Sequence, residues 1–449
     1  MPEMQDVKKL VQEIVERATG KEQIEVVASR AVETDIMVYE ANVESLTRAE
    51  SIGIGIRVIN NGRMGFAHCG TSDYDSVIEA LEAARDNSRF ATEDQFAALV
   101  APDGVDAATL DLIDPEFHKP TLEEKIALAM ELEALITRGD PRVAKVESSN
   151  YSEAEAEGFV ASSEGIFAHT RETFAYISGH AIAEQDGDTR TGGGYSVSRG
   201  LSGIDVNKAA NDVVSRCTEL LGAKKPASTR ATVIFDPRIT ATLLSIVGGS
   251  LSADAAQKGR SMFSGRIGEQ IASPAFQLLD DPTEPRAQGA SLFDGEGLAC
   301  RRNSLIENGV LMTFLYDSYT ARKEGRASTA SAVRGYSSTP SPGPMALQLA
   351  PGELDQEELI KLVQNGILIR SISGVHSGVN PISGDFSVGA EGIIIQDGER
   401  KHAFKEATIA STIQRMLMGV VAIGSDIEWL PGISAGPSIA IENMSLSGI

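Results

Sequence analysis

Apolar residues recur along this chain with two different periods, and the switching between them lays out its elements. In MQDVKKLVQEIVERATG the positions Val7, Leu10, Val11, Ile14 and Val15 share one face of a 3.6-residue repeat. A helix is therefore expected over about Met4–Thr19, with Gly20 as its stop. Strands are expected over Ile24–Ser29 and Asp35–Ser45. SIGIGIRVINNGRMGFAHCG then alternates apolar residues with glycine or polar ones around an Asn-Asn-Gly turn, which is the pattern of a hairpin. A second helix is expected over Tyr74–Ser88, with Val77, Ile78, Leu81 and Ala84 facing inward. Residues 91–120 are rich in Pro, Asp and Ala and read as a connection. Thr121-Leu-Glu-Glu124 is a capping box and opens a third helix that runs to about Arg138. Residues 142–200 alternate strands and turns, as an antiparallel sheet with long hairpins does. A fourth helix carries the stripe Val206, Ala210, Val213, Val214, Cys217, Leu221 and ends at Gly222.

The loop GAKKPASTR (Gly222–Arg230) has the Lys, Pro and Ser content of a boundary, and the texture changes beyond it. Strand patterns dominate, glycine is frequent, and Asn308-Gly309 and Asp397-Gly398 mark hairpin turns. The reading is an α+β protein, with an N-terminal α+β part at 1–225 containing an antiparallel sheet and a β-rich C-terminal part at 226–449. The second part opens on a buried strand, Ala231–Pro237, and on a helix that enters a core. From Leu243 to Ser252 that helix contains no His, Glu, Asp, Cys or Lys.

Hydrophobic residues make up 42% and charged residues 23%, the mix of a soluble globular protein. Apolar runs such as Gly366–Ile369 fall far short of the roughly 20 residues that span a bilayer. The acidic, amphipathic N-terminus resembles neither a signal peptide nor a transit sequence, so a cytoplasmic location is expected and no membrane partner. With 63 acidic and 40 basic residues the net charge is −23. That balance repels phosphate backbones and argues against nucleic acid as the ligand.

Candidate chemistry is sparse. Three cysteines without a CxxC pair, Cys69, Cys217 and Cys300, argue against a disulfide framework. Cys217 reads as a core thiol, and Cys69 beside His68 on a strand is poor geometry for a nucleophile pair. No two of the six histidines lie closer than His169 and His180, so HExxH and HExxxH are absent; those two could meet across a hairpin. Gly53-Ile-Gly55 lacks the third glycine and the helix of a dinucleotide fingerprint. There is no GxSxG elbow, and Ser264 and Ser377 suit turn chemistry. Asp294, Glu296 and Asp385 stand close to glycines, where they could be acid/base groups, cation ligands or turn caps.

Three segments in order carry a resemblance: GIGIRVINNGRMGFA, then FDGEGLACRRNSLIENGVLMTFLYDSYTARKEG with PSPGPMALQLAPG, then SGDFSVGAEGIIIQDGE. Together they resemble the TldD/PmbA family over essentially the whole chain. The family looks like a pair of paralogues that assemble into a heteromeric zinc peptidase. Its catalytic TldD type is expected to carry HExxxH just upstream of a KG-x-S-x-FSG loop, with a cysteine near the C-terminus completing the metal site. Counting back from Phe263-Ser264-Gly265, those positions hold Leu244, Ser245 and Gly249 here, and no cysteine follows Cys300.

The resemblance therefore implies the TldE/PmbA type, a non-catalytic subunit that binds no cofactor itself and pairs with a zinc-bearing TldD-type chain. It implies a barrel-like C-terminal sheet around the central helix, and as substrates unfolded or small peptides such as leader segments. Lys258, Gly259, Ser261, Phe263, Ser264 and Gly265, with Ser383, Gly384, Asp385 and Phe386, are the residues expected to line the peptide cleft. Two other readings stand beside it: a hydrolase working through Asp294, Glu296 or Asp385, and a binding or regulatory protein, in keeping with the family's older label of gyrase modulator.

Overall fold

A computed structural model describes residues 4–449. One antiparallel sheet takes up the N-terminal part. Its strands are β1 (Gln23–Tyr39), β2 (Asn42–Asn60), β3 (Arg63–Cys69), β4 (Val143–Ser162), β5 (Phe167–Gln185) and β6 (Asp188–Ser198), in the order β3-β2-β1-β4-β5-β6. These strands are long enough to carry two separate cores. At one end α1 (Met4–Val15) and α2 (Tyr74–Phe90) bury Val7, Val11, Ile14 and Leu81 against Ile24, Val26, Ile54 and Ile56. At the other, α3 (Leu122–Gly139) and α4 (Val206–Thr218) bury Leu132, Ile136, Val213 and Cys217 against Ile177 and Ala181. The capping box is present: the Thr121 hydroxyl accepts from the Glu124 N–H, and the Glu124 carboxylate accepts from the Thr121 N–H.

The structure corrects the sequence reading at four points. The strands expected at Ile24–Ser29 and Asp35–Ser45 are one strand, β1, and the second expectation runs across a turn at Glu40 and Ala41. Both turn residues adopt positive φ without being glycine, so no glycine marks the turn. The Ala41 N–H is held by Glu133 of α3 at 2.8 Å, a contact 92 residues away in sequence. His169 and His180 do not face each other across a turn. They share β5, eleven residues or roughly 35 Å apart along it. The connection 91–120 contains no helix or strand, yet Leu99, Leu112 and Phe117 are buried, so it straps the two parts together and does not merely join elements. α1 ends at Val15, ahead of the turn that reaches Gly20.

The C-terminal part opens with β7 (Thr229–Phe235) and α5 (Pro237–Ser250). β7 lies between the strands Gly366–Ser373 and Ile439–Ser447. Strands Asp385–Gln396 and Glu399–Thr412 continue the sheet, and Thr408–Ala410 then pairs with Ser445–Ser447. That last pairing closes five strands into a barrel. A smaller five-stranded sheet, which includes Leu278–Asp280 and Leu347–Leu349, packs beside it. The largest core joins barrel, small sheet and α5: Leu243, Leu244 and Val247 meet Phe235, Phe386, Ile409, Leu278 and Leu347. The α+β architecture with a barrel-like C-terminal sheet and a central helix is therefore the observed one. Among the described residues no helix is long and apolar enough to cross a membrane.

Candidate functional site

α5 starts where the sequence dictates. Asp236 caps it by accepting the Ile239 N–H at 3.0 Å, and Pro237 occupies the first turn, where its missing N–H costs nothing. Leu244 is fully buried; a Cβ added to Gly436 would come within 3.2 Å of its Cδ1, so the chain at 436 lies directly against it. Ser245 and Gly249, one turn apart, are exposed on the opposite flank. The Ser245 hydroxyl donates to the Ala241 carbonyl at 3.1 Å and lies 2.9 Å from the Ser434 hydroxyl. Around Gly249 the space is open, with no atom within 4 Å of where a Cβ would stand. A zinc ion needs imidazole, thiolate or carboxylate donors converging on one point. An inward-facing isobutyl group, a hydroxyl already bonded to the helix and a glycine do not fit that requirement. Among the described residues no group of three or more His, Cys, Asp or Glu side chains is placed to hold a metal.

The first of the segments expected to line a cleft, and the chain just ahead of the second at Pro381, both bond Ser250 at the C-terminal end of α5. The Ser261 hydroxyl donates to the Ser250 carbonyl, and the Ser250 hydroxyl donates to the Pro381 carbonyl at 3.4 Å. Within the first segment Ser261 and Phe263 are buried and hold the loop to the core. Ser264 and Gly265 face solvent, and the Ser264 hydroxyl donates to the carbonyls of Ala256 and Ser261. Gly259 has a φ of +65°, a turn position that favours glycine. Lys258 leaves the cleft: it pairs with Asp254 at 2.8 Å and lines a separate cavity of about 500 Å³ between the β2–β3 turn and the segment 317–322. Within the second segment Phe386 is buried and Gly384 packs against Gln414, whereas Ser383 and Asp385 are exposed and joined by a 2.7 Å hydrogen bond. Solvent-facing polar groups near the α5 end are thus Ser264, Ser383 and Asp385.

Asp294 and Glu296 are not surface groups. Asp294 caps its own turn, accepting N–H groups from Glu296 and Leu298 at 3.0 Å and from Ala332 at 3.1 Å. Burial, reinforced by the neighbouring Glu296 charge, pushes its carboxyl up to about 7. A carboxyl whose pKa rises on folding contributes stability that is present at low pH and lost as the pH climbs through the folded value. The wild-type advantage in thermal midpoint over Asp294→Asn should therefore shrink from pH 5 to pH 8; an advantage that grows over this range would contradict the assignment. Glu296 accepts from the Ser318 N–H at 2.8 Å, from its hydroxyl at 2.6 Å and from Arg57 of β2 at 3.4 Å. Arg57 also makes a two-pronged bond to Glu25 of β1 at 2.6 and 3.1 Å, and Arg334 reaches Glu25 from the C-terminal part. Two carboxylates and two guanidinium groups thus form a buried, neutral set across the two parts of the molecule.

Cys217 is buried, with its thiol donating to the Val214 carbonyl, and Cys69 donates to the Thr71 carbonyl without pairing with His68. Sequence reading missed Ser250 and Ser434, the two residues that tie α5 to its overlying loops. Isolated serines outside a motif carry no signal that could have found them.

Three family models match in register along the chain: PmbA/TldA metallopeptidase domain 1 at residues 24–88, the central domain at 115–221 and the C-terminal domain at 228–448. The metalloprotease PmbA of Escherichia coli O157:H7 is 26% identical, covering 98% of this chain and 97% of its own. An uncharacterized protein of Methanocaldococcus jannaschii is 31% identical over 81% of this chain and 82% of its own. The crystal structure of TldE from Thermococcus kodakarensis superposes with a TM-score of 0.89 over 99% of this chain and 100% of that one, at 22% identity, which is a likeness of fold.

Proposed function

Because the chain belongs to the PmbA/TldD family of metallopeptidase-like proteins, we propose that it is a TldE/PmbA-type, non-catalytic subunit of a heteromeric zinc peptidase. Its partner would be a TldD-type chain carrying HExxxH, and the zinc would belong to that partner. The observation that carries this reading is α5, a helix kept in the largest core whose motif positions hold Leu244, Ser245 and Gly249. Such a chain contributes shape. Its parts 1–225 and 226–449 would form one half of a chamber that admits unfolded or small peptides, leader segments among them. The segments Lys258–Gly265 and Ser383–Phe386 would border the cleft, with Ser264, Ser383 and Asp385 offering polar contacts to an extended backbone.

The burial of Asp294 and Glu296 counts against either as the working group of a separate carboxylate hydrolase, while Asp385, the third candidate, is exposed and accepts a hydrogen bond from Ser383. The test is native mass spectrometry of the chain purified from its own cells, with metal analysis and peptide hydrolysis on the same sample. A 1:1 assembly with an HExxxH subunit is expected, with zinc staying on that subunit and both zinc and hydrolysis absent from this chain when the two are separated. Zinc-free hydrolysis by the isolated chain, or cellular function retained without any TldD-type protein, would overturn the proposal.

A further inference from the structure

β2 has an open edge. β3 pairs with it only from Ile54 onward, so residues Asn42–Gly53 have β1 on one side and, among the described residues, no strand on the other. Ten consecutive residues there, Asn42 to Ser51, are exposed, and no proline interrupts them. Unpaired N–H and C=O groups along such an edge are a template for another strand. The side chains add to this. Ile177, Tyr151, Ile36 and Leu46 lie opposite one another on successive strands. The first three are at most 1% exposed beneath α3, whereas Leu46 is 43% exposed, so an apolar row runs out at the edge. Glu44 and Arg48 flank Leu46 on its own face. Among the described residues neither of them joins an ion pair, while the adjacent Glu50 is held by Arg30 at 2.6 Å.

A strand edge that pairs with its own copy runs antiparallel about a twofold axis. Because backbone donors and acceptors alternate sides along a strand, the axis must pass through a residue pair of the same number. With Leu46 facing Leu46 of the second copy, Glu44 faces Arg48, Arg48 faces Glu44, and Ser45 faces Thr47. Centring on Glu44 or on Arg48 sets like charges together, and centring on Thr47 sets Glu44 against Glu50. Centring on Ser45 leaves both charges unmatched. Centring on Ala49 pairs Arg48 with Glu50, but it drives the second copy's hairpin tip, residues 40–44, into the end of β3, where Cys69 already pairs with Ile54. A bulge opposite Val38 leaves Glu44 as the extra residue of β2, so regular pairing runs from Glu44 to Arg48.

We infer that the β2 edge joins two copies of this chain, antiparallel and centred on Leu46, so that one sheet runs through both. The contact is self-complementary, as a twofold interface must be. It makes each Glu44–Arg48 pair twice and continues the row Ile177, Tyr151, Ile36, Leu46 into the same row of the second copy. Charges on an edge ordinarily guard it against pairing; these disfavour the shifted registers and favour this one. The paired stretch is short, so the dimer forms at micromolar concentration and falls apart on dilution. The inference goes beyond the subunit reading and does not depend on it, since the chain is tested without a TldD-type partner.

Directly opposed residues of an antiparallel pair stand about 4.5–5.5 Å apart at Cα, a separation that a disulfide bridges. The experiment oxidises the full chain carrying Leu46→Cys at about 50 µM, well above a micromolar dissociation constant, and resolves the products under denaturing, non-reducing conditions. A covalent dimer should be the main product. Ala49→Cys, roughly 20 Å from its own copy in this register, should stay monomeric, as should the unsubstituted chain with Cys69, Cys217 and Cys300. In sedimentation of the chain without added cysteine, Arg48→Glu should weaken association at least tenfold. Glu44→Arg/Arg48→Glu should restore it to within threefold of wild type. Absence of the Leu46→Cys dimer, a dimer of Ala49→Cys in its place, or association indifferent to Arg48→Glu overturns the inference. The cross-linking result stands even if a charge variant does not fold. Because no TldD-type chain is present, failure here and failure of the subunit reading are told apart.

Discussion

Arg57→Met is expected to lower the stability of the folded chain by about 3–5 kcal/mol, the usual cost of removing one member of a buried ion pair. Arg57 is 6% exposed and serves Glu25 and Glu296 together, each 1% exposed. Burial alone would raise the Glu25 carboxyl, yet the charges and hydrogen bonds of Arg57 and Arg334 hold it below its ordinary value. Without Arg57, Glu25 keeps Arg334 and Glu296 keeps only the two Ser318 donors, so the neutral set acquires a net negative charge with no access to water. Methionine matches the length of the arginine stem, which confines the effect to charge and hydrogen bonding. The measurement is the thermal and denaturant midpoint of Arg57→Met beside Arg57→Met/Glu296→Gln. The double variant should recover part of the loss; equal midpoints for wild type and single variant would show the network to be idle.

Leu244→His is expected to destabilise the chain by about 2–5 kcal/mol and to bring no zinc with it. Rewriting Leu244, Ser245 and Gly249 to the HExxxH sequence looks like a route to a working metal site. The helix argues otherwise, because Leu244 points into the core while Ser245 and Gly249 lie on the exposed flank. An imidazole at 244 loses the packing of a buried leucine, and the one polar side chain beside it, the buried Thr240 hydroxyl one turn earlier, can satisfy only one of its two ring nitrogens. Equilibrium dialysis against zinc, run beside the unfolding curve, decides the matter. Stoichiometric zinc in a stably folded triple variant would mean that α5 can turn, and that this reading of its orientation fails.

Much of the architecture is written in local pattern. The capping box at Thr121 and Glu124, the Asn-Gly turn between β2 and β3, and the polar boundary before β7 are each set by residues within a few positions of one another. What escaped notice depends on distant partners. The turn at Glu40–Ala41 is held by Glu133, the connection 91–120 is anchored by Arg322 through the carbonyls of Phe96 and Ala98, and Asp294 owes its environment partly to Ala332. The candidate site divides the same way. The missing zinc ligands could be read from residue types alone. That Lys258 would leave the cleft and Ser250 would bond one border and the chain just ahead of the other could not, because both follow from how loops separated by more than 100 residues pack on one helix.

The closure of the barrel has a consequence for how the molecule is made. β7 needs Gly366–Ser373 on one side and Ile439–Ser447 on the other, and the latter is made about 200 residues after β7. At typical synthesis rates of about 5–20 residues per second, β7 and the apolar α5 would wait roughly 10–40 s for that partner. Every strand of the N-terminal sheet, by contrast, is complete by Ser198. The nascent chain therefore spends a long interval as a finished sheet trailing an unclosed, sticky half, which is the form a chaperone would meet and the stage at which a C-terminal truncation would do most harm.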